Sequence, residues 1–312
     1  MAIGYLATLP NYAGELFTAS REQTPFLSMI GGLNGGKSTN ALNFPISSEY
    51  ALTAVAQPAI SEAVAAAAPP EAKNFVRGQL HNTVQIFQEG VQISYVKKAT
   101  MGQLSGLNIA GQQANVADEK DFQIMLSLQK MARDVDYSFL HGAYVVYATA
   151  DSAFRTMGIV TASAAGSNTT ALGGAAITAD IITAALIDGY TNGAKFVKPV
   201  IFCGAFNKTM FSKLYGYAPE DRNYGGLNIK TIETDFGVFG IVLEPHLTAS
   251  TVLIADLAVC SPVFCPVNGK PPLFYEELAK SGAAENGQLF GLIGLDYGPE
   301  WMHITITGTS VA

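Results

Sequence analysis

The sequence predicts an α+β fold whose elements have too few local partners to close within one chain. Three observations carry that expectation. The longest amphipathic stretch runs from Asp118 to about Leu140. Polar Gly/Ala-rich sequence extends far on both sides of it. Charged residues make up only 14% of the 312 positions, against about a quarter in ordinary globular domains. A surface so poor in charge stays wet through Ser, Thr, Asn and Gln, or other subunits cover it.

Length allows one large domain or two small ones. The formal net charge of -7 and the lack of a Lys/Arg cluster argue against a dedicated nucleic-acid binder, because nothing neutralises a run of phosphates. They are compatible with a shell that encloses nucleic acid without gripping it. Cys203, Cys260 and Cys265 show no CxxC spacing, and no ligand pair falls near His81, His141, His246 or His303. Buried thiols in a reducing compartment are therefore expected, and no metal site. No charged leader precedes an apolar core, so no signal peptide is expected. No run reaches the roughly 18 apolar residues of a membrane span. Synthesis and assembly in the cytoplasm follow.

Each element has a local signal. Pro25 suits the first turn of a short helix that Gly31-Gly32 stops. Residues 38–70 carry only Glu49 and Glu62 as charges and four prolines, so no packed domain fits there. A strand over residues 83–95, bent near Glu89-Gly90, is expected to pair with residues 41–46 as an extended two-stranded arm. Such an arm is marginal in water unless a neighbour supports it.

The long helix is expected from about Gln113 to Leu140, on the order of 40 Å. Asp118 would cap it, and Phe122, Met125, Leu128, Ala132, Val135 and Phe139 form its apolar stripe. Lys120, Gln123, Lys130, Arg133, Asp134 and Asp136 mark the polar remainder. A helix with one apolar stripe requires a flat support, most simply a sheet.

Farther along, residues 162–174 read as a loop, and Thr178 caps a second helix to about Tyr190 with Ile181, Ile182, Ala185 and Leu186 inward. Residues 199–203 form a strand and 205–214 a helix. A hairpin turns at Asp235-Phe236-Gly237, and strand regions follow at 251–255, 257–259 and 274–278. A late antiparallel pair, 288–297 and 301–307, is expected to pack with the long helix.

The most conspicuous motif is Gly31-Gly32-Leu33-Asn34-Gly35-Gly36-Lys37-Ser38, which satisfies the GxxxxGK[ST] phosphate-loop pattern. Val252-Leu253-Ile254-Ala255-Asp256 resembles the strand that ends in a metal-binding Asp. That chemistry needs a helix starting at Lys37, with Lys37 on the terminal phosphates and Ser38 on magnesium. The chain instead continues Thr39-Asn40-Ala41-Leu42-Asn43-Phe44-Pro45, poor in helix signals. A flexible glycine-rich loop is expected, with Gly31, Gly36, Lys37 and Ser38 a decoy, no catalytic residue and no cofactor. His246 and His303 lack a nucleophile or carboxylate at diagnostic spacing and read as surface or satisfied core histidines. Tyr215-Gly216-Tyr217 and Asn223-Tyr224-Gly225-Gly226 suit either a recognition loop or a subunit contact.

Four stretches carry a family resemblance. They are Thr24-Pro25-Phe26-Leu27-Ser28-Met29-Ile30-Gly31, Asn82-Thr83-Val84-Gln85-Ile86-Phe87 leading to Val91-Gln92-Ile93-Ser94, residues 128–140 with Arg133-Asp134-Val135-Asp136, and Ile232-Glu233-Thr234-Asp235-Phe236-Gly237 followed by Val242-Leu243-Glu244-Pro245. In this order the chain resembles the major capsid proteins of tailed bacteriophages, with the fold those phages share with herpesviruses, over about residues 20–308. The stretches at 60–68 and 162–176 are blander than the family pattern.

The resemblance implies an N-terminal arm (1–35), an extended loop (36–94), a peripheral domain whose first part (95–177) carries a spine helix at about 113–140, an axial domain (178–248) and a return that completes the peripheral domain (249–312). It implies a structural protein, not an enzyme, that assembles with copies of itself into pentamers and hexamers of an icosahedral shell around double-stranded DNA. Scaffold, portal and decoration proteins are implied partners, with no membrane and no sequence-specific DNA binding, and the virion is the implied location. A precursor shell that expands on packaging, through bending of the helix and movement of the loop, is implied as well. Phe44, Ile86, Phe87, Met125, Leu128, Val135 and Phe139 are the expected assembly residues. The alternatives are a nucleotide-hydrolysing enzyme using Gly31 to Ser38 and a non-viral encapsulating shell protein with protein cargo.

Overall fold

Proline costs no hydrogen bond in a first helical turn, and α1 (Pro25–Met29) starts on it. Gly31 at φ +126° and Gly32 at φ +67° end it. In the computed structural model the described residues are 21–50, 52, 55–67, 74–96, 119–215, 221–224, 227–280 and 282–311. The expected helix start at residues 113–118, with the Asp118 cap, lies outside them, as do Gly216, Tyr217, Gly225 and Gly226.

After α1 come β1 (Lys37–Ser38), β2 (Asn43–Tyr50), α2 (Glu62–Ala67), β3 (Arg77–Thr83) and β4 (Gln85–Ser94). The arm's pairing differs from the expectation. β2 pairs with β3, while β4 leaves the hairpin and runs beside a strand near the C-terminus. Val84, fully buried, sits at the switch between the two sheets. Changing sheets there resets the inward face: Phe87, Val91 and Ile93 point inward and Ile86 outward. The expected bend at Glu89-Gly90 is absent, since the register runs unbroken from Gln85 to Ser94.

The spine helix α3 (Glu119–His141) is about 35 Å long by its 23 residues. It lies against β4 and β13 (Ala284–Asp296). Strand β13 is the spine of a five-stranded sheet. One edge pairs with β4, the other with β11 (Ser261–Phe264) and then β12 (Leu273–Glu277), and β1 pairs parallel with β11.

A seven-stranded sheet has the order β5 (Thr169–Ala171), β14 (Ile304–Thr307), β10 (Val252–Asp256), β6 (Pro199–Cys203), β9 (Gly237–Leu243), β8 (Leu227–Thr234), β7 (Asp221–Tyr224). Helices α4 (Ile159–Ala165), α5 (Ala179–Thr191) and α6 (Ala205–Tyr215) connect these strands. The segment 178–248 thus does not close its own sheet; β5, β10 and β14 come from either side of it. The expected late antiparallel pair is not one: β13 and β14 belong to different sheets. Residues 257–259 form a turn, and α4 with β5 occupies part of the expected loop at 162–174. Thr178 caps α5 as expected, accepting from the Ile181 amide at 3.3 Å.

Both faces of the seven-stranded sheet are covered, which explains why β6 and β10 are apolar throughout. Val200, Phe202, Leu253 and Ala255 join a core shared with α1, α3, α4 and the five-stranded sheet. Ile201, Cys203, Val252 and Ile254 face a second core under α5, with Phe211 of α6. Burial pushes the Cys203 thiol up to about 12. Cys260 is also buried and Cys265 half-buried, all three free. His303 is a satisfied core histidine, with Nε2 2.6 Å from the Tyr297 carbonyl and Nδ1 accepting from the Asp256 amide at 3.4 Å. Among the described residues no helix is long and apolar enough to cross a membrane.

Phe139 is fully buried in the shared core, whereas Ile86 is 45% exposed. Phe139→Ala should lower the stability of the unassembled subunit by about 3–5 kcal/mol, and Ile86→Ala should stay within about 0.5 kcal/mol, both read by urea unfolding. Equal losses would mean that the inward face of this layer is misassigned.

Candidate assembly interface

The β2–β3 hairpin is fixed firmly at its root. Phe44 packs with Val84 and Val263, and Gly294 makes room for the Phe44 ring, 2.9 Å from where a Cβ would stand. Asn82, fully buried, donates to the Leu295 carbonyl at 2.7 Å and to Thr156 Oγ1 at 3.1 Å. Its Oδ1 accepts from the Met157 and Thr83 amides at 2.8 and 2.9 Å. Pro45, which has no amide to give, sits at the single register irregularity.

Away from the root the ribbon is bare. Tyr50, Leu52, Val55, Ile60, Val64, Phe75 and Val76 each expose more than half their surface, and α2 buries nothing. Large exposed apolar patches of this kind mark interaction surfaces.

The spine helix has the matching deficiency. Its buried residues are Met131, Val135, Asp136, Phe139 and Leu140, all in the C-terminal half. In the N-terminal half, Met125 and Leu126 are exposed and Phe122 and Leu128 half-buried. Lys120 pairs with Glu277 and Lys130 with Glu89 across to the sheet, exposed links worth little. Between the helix and β4 lies a groove of roughly 350 Å³, lined by Ile86, Phe87, Met131, Asp134 and Tyr137 among others.

The seven expected assembly residues divide by exposure. Phe44, Phe87, Val135 and Phe139 are buried within the protomer. Ile86, Met125 and Leu128 remain at the surface. Most of the exposed apolar residues of the hairpin carry a sequence signal: they lie in residues 38–70, a stretch with almost no charge.

The phosphate-loop residues are placed otherwise than that chemistry requires. Gly31 to Gly36 form turns, with the Gly35 amide donating to the Gly31 carbonyl at 3.0 Å. Lys37 and Ser38 continue as a strand, parallel to Val263 and Phe264. The Lys37 ammonium pairs with Asp296, whose side chain is nearly buried. A Cβ on Gly36 would stand 2.3 Å from the Pro262 carbonyl, so glycine serves a close strand approach there. Asp256 lies in the other sheet and accepts from the amides of Val197 (2.9 Å), Lys198 (2.9 Å) and Ala258 (3.0 Å). Among the described residues no group of His, Cys, Asp and Glu is placed to hold a metal ion.

A second departure concerns Asp136, expected on the polar side of the helix. It is fully buried, as is Glu244 just after β9. Asp136 Oδ1 accepts from the Leu27 amide at 2.9 Å and Glu244 Oε2 from the Phe26 amide at 3.0 Å. Glu244 Oε1 accepts from the His246 amide at 3.1 Å. Burial pushes both carboxyls well above the usual carboxylate range, and for Glu244 the adjacent Asp136 adds to it. His141 Nε2 lies 3.2 Å from the His246 carbonyl, and desolvation holds both imidazoles below their ordinary value. The sequence did hold a signal: Asp136 follows Ala132 by four and precedes Phe139 by three, on the stripe itself.

The family model described as SU10 major capsid protein matches residues 2–310. No curated protein matches the chain. Solved structures similar to it include the capsid of cyanophage A-1(L), 12% identical over 99% of both chains with a TM-score of 0.60. The capsid of a native GTA particle is 12% identical over 98% of this chain and 97% of that one, TM-score 0.59. The holo-SrpI encapsulin complex of Synechococcus elongatus PCC 7942 is 10% identical over 96% and 94%, TM-score 0.56. At such identities the likeness is one of fold.

Lys37→Ala should cost about 1–2 kcal/mol, because it leaves the Asp296 carboxylate nearly buried without its cation. Adding Asp296→Asn should recover part of that loss in a double-mutant cycle of thermal unfolding. Additive losses would show that the pair does not tie β1 to β13.

Proposed function

We propose that this chain, which belongs to the SU10 major capsid protein family and is a structural subunit of a virion shell, closes that shell by laying the hairpin of one copy over the spine helix of the next. The observation that carries this reading is the match between two bare apolar surfaces. The hairpin tip exposes Tyr50, Leu52, Ile60 and Phe75, and the N-terminal half of α3 exposes Met125 and Leu126. Among the described residues neither surface has a cover. An obligate interface between copies buries a few thousand Å² and is more apolar than a transient one.

In this reading residues 1–35 act as the arm and 36–94 as the extended loop, although β4 (85–94) belongs to the peripheral sheet by its pairing. The five-stranded sheet with α3 forms the peripheral part. The seven-stranded sheet forms the axial part, directed at rings of five and six copies. The enclosed material is double-stranded DNA. A net charge of -7 keeps it from adhering to the wall. Scaffold, portal and decoration proteins are its partners, and assembly takes place in the host cytoplasm. The chain performs no nucleotide chemistry, since Lys37 is engaged by Asp296 and no helix begins at it.

The double variant Met125→Asp, Leu126→Asp tests the reading. The subunit should keep its circular dichroism and unfolding midpoint yet sediment as free protein, because the two substitutions place charges on surface that must become apolar and dry. Wild-type particles should bind no ATP stoichiometrically. Shells that form normally from the double variant would rule out this interface.

A further inference from the structure

Three backbone amides converge on a carboxyl pair that has no counter-charge. Asp136 of α3 takes the amide of Leu27, and Glu244 takes those of Phe26 and His246. The two carboxyls meet as a side-chain hydrogen-bonded pair, and among the described residues no other donor reaches the buried Asp136 Oδ2. Among the described residues no Lys or Arg forms an ion pair with either group. Two buried carboxylates side by side cannot both ionise; one proton must be held between them.

The surroundings make this proton structural. Phe26 meets Phe202 of β6 edge to face at 5.3 Å, and the Glu244 amide donates to the Cys203 carbonyl at 3.0 Å. The pair therefore joins three parts of the fold: α1, the spine helix and the end of the β9 strand in the seven-stranded sheet. The charged and titratable groups around it are Arg133, Asp134 and His141 from α3, Arg21 ahead of α1, His246 beyond β9, Cys203 of β6 and Lys208 of α6. Arg21 is engaged with the Pro245 carbonyl at 3.3 Å. The influences of Arg133, Arg21 and Asp134 are felt at His246, and that of Lys208 at Cys203.

We propose that Asp136 and Glu244 share one proton as a latch that holds α1 on the junction between the spine helix and the seven-stranded sheet. When the proton leaves, two anions face each other beneath α1 and the latch opens. The proton belongs to the pair and not to one residue. The direction follows from linkage. Both carboxyls are raised in the closed form, so the closed form binds more protons than an opened one in which both titrate normally. Closure is fully present below the ordinary carboxylate range and weakens as pH rises through the pair's own range. Each unit of pH there favours opening by about tenfold for one proton. The latch goes beyond the interface proposed above and does not depend on it.

The test is amide hydrogen exchange of the full-length chain from pH 5 to pH 9, with residues 21–30 compared to residues 252–256 to cancel intrinsic base catalysis. Protection of 21–30 relative to the reference should fall about tenfold or more as pH rises. Asp136→Asn should hold protection level with pH. Its Oδ1 still accepts from Leu27 while its amide nitrogen donates to Glu244, which keeps both of its own amides. Glu244→Gln is the second variant and should also flatten the curve. A wild-type ratio that does not change with pH overturns the latch, even if neither variant folds. So does a fall that Asp136→Asn leaves intact.

Discussion

Apolar surface without a cover governs this molecule. A two-stranded ribbon has no third layer to bury its side chains, and it is not stable in water alone. Here the ribbon is rooted by Phe44 and by the hydrogen bonds of Asn82, and beyond the root Tyr50, Leu52, Ile60, Phe75 and Val76 are exposed. The long helix repeats the condition, supported by the sheet under its C-terminal half and exposed at Met125 and Leu126. In the proposed contact, a shell subunit stabilised by its neighbours accounts for both, because the surface missing from one copy is supplied by the next.

The phosphate-loop pattern shows how far residue identity can separate from chemistry. Glycines near an anion let backbone approach phosphate; Gly36 lets one strand approach another, against the Pro262 carbonyl. The lysine finds its anion in Asp296. Without a helix opening at Lys37, the amides that would cradle a phosphate are not aligned. The same set of residues thus serves a sheet edge.

Local signals were legible and long-range ones were not. The Thr178 cap, the strand at Pro199–Cys203 and the turn at Asp235-Phe236-Gly237 depend on neighbours in sequence, and each lies where the pattern put it. Strand partners depend on distant chain, so residues 85–94 pair with β13 instead of residues 41–46, and the last two strands, expected as an antiparallel pair, enter different sheets. The small helix α4, built from Ile159-Val160-Thr161-Ala162-Ser163-Ala164-Ala165, lacks a distinct apolar stripe, and its second half falls in the stretch expected as loop from Ala162. Of the expected assembly residues, apolar character alone did not separate interior Phe139 from exterior Met125. Asp136 departs from the expectation because a carboxyl on a helix ordinarily faces water, and only the tertiary structure brings Glu244 to it.

Electron cryomicroscopy of the assembled particles tests the central claim most directly, through the location of residues 50–76. The account predicts that this ribbon rests on an adjacent copy, with Leu52, Ile60 and Phe75 against the Met125 and Leu126 side of its spine helix. A ribbon folded back over its own two sheets, or standing free in solvent in the finished particle, would contradict it.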